Sequence, residues 1–138
     1  MNNSPHKKHR LRGQSLVEFA LVLPILLLLI LGAMDFARMF STKITLTNAA
    51  REGANYLSRH PLEYPDKTNT ELVINAEAID ITNIEKIISC SSDPCEAGQT
   101  VTVTVKREVD LIFGGFLQTF GITSDAIELS STVEMMVQ

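Results

Sequence analysis

The feature that most constrains this chain is an uncharged apolar run near its start. From Phe19 to Met34, 16 consecutive residues carry no charge, and two apolar residues extend the run on the other side of Glu18. A helix of about 19 residues is roughly 28 Å long, which is close to the hydrocarbon thickness of a bilayer, about 30 Å. The run therefore predicts a transmembrane helix over about 16–34.

Two other structures are compatible with such a run. One is a buried helix of a soluble domain, but core helices ordinarily alternate apolar with polar positions. The other is a cleavable secretory signal, which requires a small-x-small site directly after the apolar run. Residues 32–37, Gly-Ala-Met-Asp-Phe-Ala, match that pattern poorly. A retained membrane anchor is favoured over both.

The charges on either side of the run predict its orientation. Residues 1–13 form a basic leader with four Lys or Arg residues and no acid, whereas Asp35 precedes Arg38 on the other side. Because an excess of Lys and Arg stays cytoplasmic, we expect the N-terminus inside the plasma (inner) membrane and the later residues outside. Without the leader, 8 basic and 16 acidic residues remain, a balance of about −8 that argues against nucleic-acid binding.

Glu18 places a carboxylate at the start of the predicted helix. A charge costs about 2.5 to 3.5 kcal/mol at the bilayer centre and less near the end of a span. One interpretation is a solvated helix start, which the helix dipole favours. The other involves Gly13, five residues earlier. Cleavage after Gly13 would create an amine at Gln14, which could neutralise the carboxylate between packed helices.

This arrangement resembles the processing site of type IV prepilins. Residues 12–24, Arg-Gly-Gln-Ser-Leu-Val-Glu-Phe-Ala-Leu-Val-Leu-Pro, resemble the start of the TadE-like proteins, minor pseudopilins of the tight-adherence (Flp) pilus system. The resemblance continues through residues 32–40 and 48–54. It covers about the first 57 residues well and the remainder only by its general pattern.

The resemblance implies a function for the residues around the glycine. It implies that a prepilin peptidase in the membrane cuts between Gly13 and Gln14, and that Glu18 is needed for filament assembly. Phe19 departs from the Glu-Tyr pair of the major Flp pilins, which argues against assignment as the major pilin. The implied partners are the peptidase, other pilin-like subunits and the pilus assembly machinery.

Apolar residues recur at steps of three and four beyond the membrane run. They are Phe36, Phe40, Ile44, Thr47, Ala50, Ala54 and Leu57, with Thr47 as the weakest position. The pattern predicts that one helix continues over about 14–58, with an amphipathic second half. Pro61 and Pro65 predict its end. Pro24 predicts a kink, because it cannot donate a hydrogen bond to the carbonyl of Ala20.

The rest of the chain, about 59–138, predicts a small external domain. Residues 100–109 and 127–137 alternate apolar with polar side chains, as antiparallel strands do, while residues 81–89 fit either a helical turn or a strand. So small a module has a meagre core alone, so we expect the sheet to pack on the long helix. The predicted class is α+β, a transmembrane helix that continues as an amphipathic helix on a small antiparallel sheet, as in pilin-like subunits.

Two shorter segments predict further helices. Residues 68–71, Thr-Asn-Thr-Glu, have the spacing of a capping box, and Leu72, Ala76 and Ile79 follow at helical steps. Residues 111–122 are apolar but too short to span a bilayer, and their glycines indicate turns around a short helix. That segment fits core packing, or a surface that meets a neighbouring subunit or the membrane.

The two cysteines, Cys90 and Cys95, are five positions apart. An external compartment permits a disulfide between them, and closing so small a loop stabilises a fold by roughly 2 kcal/mol. Two cysteines without a nearby histidine do not make a zinc site.

No motif in the sequence predicts catalysis or a cofactor. His60 fits a helix end or loop, and His6 and His9 lie in the basic leader without further metal ligands. There is no phosphate-binding loop and no nucleophile motif, so we expect neither an enzyme nor a metal site. Two functions stay open. One is a minor pseudopilin processed after Gly13 and either retained in the membrane or incorporated in a pilus. The other is an unprocessed single-pass protein that displays a small interaction domain.

Overall fold

The computed structural model describes residues 11–64, 66–79, 81–118, 121 and 126–138. Most of the predicted basic leader, with His6 and His9, lies outside the described residues, as does Pro65. Residues 119–120 and 122, from the apolar segment at 111–122, lie outside them as well.

The first element, α1, is a single helix of 49 residues, Leu11–Arg59. It is about 73 Å long at the standard rise and contains Pro24 without a break. Among the described residues, α1 is the one helix long and apolar enough to cross a membrane. The predicted long helix is confirmed. It already includes Leu11, the first residue that the structure describes, and it continues through Gly13, since one glycine costs a helix only about 1 kcal/mol.

Three antiparallel strands form the sheet. They are β1 (Glu85–Cys90), β2 (Thr100–Val109) and β3 (Ile127–Met136), in the spatial order β1-β2-β3. The register pairs Ile88 with Val103 and Val103 with Val133, so these side chains share one face of the sheet. The two strands predicted from alternation are confirmed, and the ambiguous segment at 81–89 contains all of β1 except Cys90.

The sheet packs against the second half of α1, which confirms the predicted α+β class. We call residues 35–59 the packed half of α1 and residues 16–34 its apolar half. The core is built from side chains of α1, the sheet and a second helix. Its largest fully buried residues are Leu46, Leu57, Ile74, Val101, Val103, Val105 and Thr70.

The second helix, α2 (Thr68–Glu77), follows a 3-10 turn at Pro61–Glu63. The predicted capping box is wrong. Lys67 precedes the helix in a left-handed conformation with φ 56°, and no side chain caps the first turn. Thr68 instead donates its hydroxyl to the carboxylate of Asp66 at 2.9 Å. The Lys67 ammonium donates to the Ile88 carbonyl of β1 at 2.9 Å, so a contact with the sheet holds the start of α2.

The apolar residues that predicted α2 do not face the core. Leu72 and Ile79 are 60% and 81% exposed, and Ala76 is exposed too. The buried positions of α2 are Thr70 and Ile74, and Ala78 directly after the helix is buried as well. The spacing identified the helix but not its buried face, because close packing against α1 selects that face.

The predicted apolar stripe of α1 is only partly buried. Ala50, Ala54 and Leu57 are fully buried, as predicted. Phe36, Phe40 and Ile44 are 67%, 60% and 47% exposed, so the prediction is wrong for these three positions. Apolar residues surround α1 on every side near the end of the apolar half, so periodicity there cannot tell which side the sheet covers.

Two polar interruptions of the apolar patterns meet each other. Thr47 is the weakest position of the α1 stripe, and Ser131 interrupts the apolar alternation of β3. The Ser131 hydroxyl donates to the Thr47 hydroxyl at 3.1 Å, and the Thr47 hydroxyl donates to the Lys43 carbonyl at 2.8 Å. Each hydroxyl therefore satisfies its hydrogen bonding inside the contact between α1 and β3.

The third helix, α3 (Ile112–Gln118), connects β2 with β3 and contacts α1. It confirms the short helix predicted within residues 111–122. Gly114 of this helix is buried, whereas Ile112 is 43% exposed.

Candidate functional site

The predicted processing site lies on the first turns of α1. Gly13 and Gln14 are exposed, and so are Glu18 and Phe19. The side-chain amide of Gln14 donates a hydrogen bond to the carboxylate of Glu18 at 3.1 Å. These two side chains meet because residues four apart in a helix lie on the same face. An amine at residue 14 would lie beside the same carboxylate.

The packing of the described chain leaves room for a side chain at Gly13. A Cβ atom at this position would meet no atom within 4 Å. In contrast, a Cβ atom at Gly53 would lie 2.6 Å from Cγ1 of Ile74, so packing requires glycine there. The fold gives no reason for glycine at residue 13, where it only weakens the helix.

Glu18 lies beyond the first turn of α1, which contains no acidic residue. The helix dipole acts within the first turn, so it accounts poorly for a carboxylate at this position. The side chains beside Glu18 are apolar and exposed, with Val17 at 61% and Phe19 at 60%. A carboxylate in apolar surroundings is costly unless another group neutralises it.

Most large side chains in the apolar half of α1 are exposed. Its exposed large side chains include Leu16, Leu21, Val22, Ile25, Leu26, Leu27, Leu29, Ile30 and Met34. A contiguous apolar surface of this size marks a membrane-facing or protein-binding region. The helix therefore requires lipid or other helices around it.

A second carboxylate, at the end of the apolar half, is buried. Asp35 is 4% exposed, and its two oxygens accept the backbone N–H groups of Ile112 at 2.9 Å and Phe113 at 2.7 Å. Arg38, one turn further along α1, lies 3.7 Å from the same carboxylate. These contacts join the first turn of α3 to α1, since the first amides of a helix have no partner within it.

In the sequence, Asp35 is recognisable only as a charge that flanks the apolar run, and this contact was not predicted. Two signals could have found it. An acidic residue directly after an apolar run needs a partner when it is buried. The segment after Asp110 starts a helix without a capping side chain of its own at residues 111 and 112, so its first amides need an acceptor from elsewhere.

Cys90 and Cys95 form a disulfide with their Cα atoms 5.9 Å apart. Cys90 ends β1, and Cys95 is 5% exposed in the loop between β1 and β2. In the same loop, the Ser91 hydroxyl and the Gln99 side chain are 2.6 Å apart. The disulfide therefore lies at the loop end of the β1–β2 hairpin.

Two open grooves lie near the sheet end that faces α3. One, of about 320 Å³, separates the packed half of α1 from β2 and is lined by both Arg38 and Arg107. The other, of about 280 Å³, is lined mainly by charged side chains of the three strands. Within the described part of the chain, no group of three His, Cys, Asp or Glu side chains could hold a metal ion.

The fold and the site define a class of protein: one apolar helix of membrane-spanning length that carries a small α+β domain on its second half and an exposed carboxylate near its start. Residues 13–55 match the model of the TadE-like protein family, so the chain is TadE-like over most of α1. This match confirms the resemblance over these residues. It covers about a third of the chain. No curated protein and no solved structure matches the chain.

Proposed function

We propose that this chain is a minor pseudopilin that takes part in assembly of a tight-adherence pilus after a prepilin peptidase cuts between Gly13 and Gln14. One observation carries the proposal. Glu18 is an exposed carboxylate among exposed apolar side chains, with a side chain of residue 14 already in hydrogen-bonding contact. Cleavage places a positive amine on that residue, and neutralisation of the carboxylate then favours close packing of apolar helices.

The proposal includes a topology. The basic leader remains cytoplasmic, the apolar half of α1 spans the plasma (inner) membrane, and the domain on the packed half lies outside. This arrangement leaves the peptidase site at the cytoplasmic face. It also places the Cys90–Cys95 disulfide in a compartment where disulfides persist.

Sequencing the N-terminus of the mature protein tests the processing step. In a host with an active prepilin peptidase we expect the chain to start at Gln14. Gly13→Leu should block the cut, because it adds a large side chain to the residue directly before the scissile peptide bond. Gly32→Leu is the matched control, since a Cβ atom there also meets nothing within 4 Å, and its product should still start at Gln14. An intact leader on the unmodified chain contradicts the proposal.

A second experiment tests the assembly function of the carboxylate. Glu18→Ala should leave membrane insertion and processing intact and should abolish incorporation with other pilin-like subunits, measured by co-purification from detergent extracts. Glu52→Ala removes an exposed carboxylate from the packed half of α1 and should assemble normally. Normal incorporation of the Glu18→Ala chain would exclude neutralisation of this carboxylate as the basis of assembly.

The alternative function is an unprocessed single-pass protein that displays a small interaction domain. One observation favours it: α1 already begins at Leu11, so the peptide bond after Gly13 lies within a helix. A peptidase needs an accessible, unwound bond, and glycine lowers the cost of unwinding there. Retention of the leader in the presence of active peptidase would select this alternative.

A further inference from the structure

Asp35 fixes the height of α3 along α1. It is the first charged residue after the apolar half, and it accepts the N–H groups of Ile112 and Phe113. Because the apolar half matches the hydrocarbon layer in length, Asp35 lies at the edge of that layer when α1 spans a membrane. The first turn of α3 therefore lies at the same edge.

The segment that contains α3 is free of charge. Residues 111–124 include no Asp, Glu, Lys or Arg. At the level of Asp35, Ile112 is 43% exposed and Phe113 is half-buried. A single exposed apolar side chain needs no explanation, but here it begins an uncharged segment that is bonded to the end of a membrane-length helix.

Within the apolar half, the side of α1 that carries Asp35 is less exposed than the neighbouring side. Leu28 and Leu31 lie two turns and one turn before Asp35 on that side, and both are half-buried. Leu29 and Ile30 beside them are 68% and 48% exposed. Leu28 and Leu31 are thus less exposed than their neighbours on the side of α1 that carries Asp35.

The apolar surface of α1 also continues past Asp35. Phe36 and Phe40 are 67% and 60% exposed, and their rings stack with centroids 6.3 Å apart. Phenylalanine is typical of the apolar face of helices that lie in the interfacial layer. The positions of Phe36 and Phe40 extend the apolar surface of α1 by one to two turns, so that Ile112 lies within that height range.

We propose that α3 lies in the interfacial layer of the membrane and contacts lipid directly, so that the domain touches the bilayer at a second point beside α1. The proposal rests on the topology given under the proposed function. Asp35 is the positioning residue, because its carboxylate bonds the first turn of α3 at this height. The second contact limits how the domain can tilt relative to the membrane.

Lipid fits the position better than a second subunit does. The bilayer surrounds α1 at the level of Asp35 in every chain before assembly, whereas a second subunit is present only after assembly. The absence of charge in α3 suits that layer, whereas a water-exposed subunit contact would tolerate charge at its rim.

Tryptophan fluorescence in vesicles tests the proposal, since the full chain contains no tryptophan. Three single variants of the full-length chain, Ile112→Trp, Leu29→Trp and Leu62→Trp, are reconstituted in phosphatidylcholine vesicles. The lipid acyl chains carry bromine either near the headgroup or near the bilayer centre. The three replaced side chains are 43%, 68% and 90% exposed, so a larger side chain disturbs no packed core.

We expect Ile112→Trp to lose most of its fluorescence with bromine near the headgroup and less with bromine at the centre. Leu29→Trp should respond most to bromine at the centre, and Leu62→Trp, at the far end of α1, should respond to neither. If Ile112→Trp behaves like Leu62→Trp while Leu29→Trp is quenched, the lipid contact is wrong and the topology stands. If Leu29→Trp is also unquenched, the topology itself is wrong and the inference falls with it.

Discussion

The carboxylate of Asp35 accepts the backbone N–H of Phe113 at 2.7 Å, across 78 residues of sequence. This bond joins the middle of α1 to the start of α3. The sequence pattern of neither segment predicts this bond. Asp35 is simply a polar residue after an apolar run, and Phe113 is one residue of another apolar run. The contact shows that the end of the apolar half is also an attachment point of the domain.

Removal of this carboxylate should detach the first turn of α3. Asp35→Ala removes the carboxylate that accepts the Ile112 and Phe113 amides, and we expect the free energy of unfolding to fall by about 1–3 kcal/mol. Asp35→Asn keeps one acceptor oxygen, so its free energy of unfolding should lie between those of the unmodified chain and Asp35→Ala. Urea unfolding of the full chain in detergent micelles measures the loss, and amide hydrogen exchange at residues 112 and 113 localises it. Unchanged exchange at both amides in Asp35→Ala would show that they do not depend on Asp35.

Gly53 allows α1 to approach α2 and β2 closely. A Cβ atom there would lie 2.6 Å from Cγ1 of Ile74 and 3.4 Å from Cγ1 of Val103. Overpacking costs about 1–3 kcal/mol, which outweighs the gain of about 1 kcal/mol in helix propensity. Gly53→Ala should therefore lower the free energy of unfolding, whereas the same change at the open Gly13 should not.

The close contact at Gly53 can be tested further with a double variant. Ile74→Ala removes Cγ1 and Cδ1, the two atoms that would lie 2.6 and 2.8 Å from the new methyl group. The loss in the double variant Gly53→Ala with Ile74→Ala should be smaller than the sum of the two single losses. Additive losses would mean that the methyl group at residue 53 meets its resistance elsewhere.

The hydroxyl of Thr70 is buried in α2 and has no hydrogen-bond partner among the described residues. Valine has nearly the same shape, so Thr70→Val should raise the free energy of unfolding by about 1 kcal/mol by removing the uncompensated polar group. Thr132→Val is the comparison, because Thr132 pairs with Thr104 at 2.9 Å on the open face of the sheet. It should change stability by no more than about 0.5 kcal/mol. A loss of stability in Thr70→Val would point to an unseen partner for the hydroxyl.

The disulfide closes a short loop and should contribute modestly. Replacement of Cys90 and Cys95 by serine should lower the free energy of unfolding by about 2 kcal/mol. Urea unfolding of the unmodified chain with and without a thiol reductant provides the comparison, with mass spectrometry to count free thiols. Equal stability of the reduced and oxidised chains would remove any structural contribution of this bond.

Some elements could be predicted because their signal is local. The alternation at residues 100–109 marks β2 because one face of a strand is buried at every second residue. The length of α1 follows from an apolar run and a helical stripe with no stop before Pro61. The TadE-like motif at residues 12–24 is local too, and it predicts functions for Gly13 and Glu18.

Other features could not be predicted because they depend on which surfaces meet. The spacing of Leu72 and Ile79 identified α2 but pointed away from its buried face, which the contact between Ile74 and Gly53 decides. Likewise Phe36 and Phe40 fit the stripe of α1 yet stay exposed, because the sheet covers the adjacent side. In a chain with a membrane-spanning helix, an apolar side chain can contact lipid or pack in the protein core, and its hydropathy does not distinguish these two environments.

By itself, the sequence determined a membrane-length helix, a glycine and a carboxylate five residues apart at its start, and a small domain with alternating strands. These are properties of neighbouring residues, and hydrophobic period and spacing encode them directly. Only the tertiary structure decided that Asp35 holds α3 and that Thr47 meets Ser131. Both contacts join residues more than 70 positions apart, and a buried polar group finds its partner only after the apolar surfaces around it have packed.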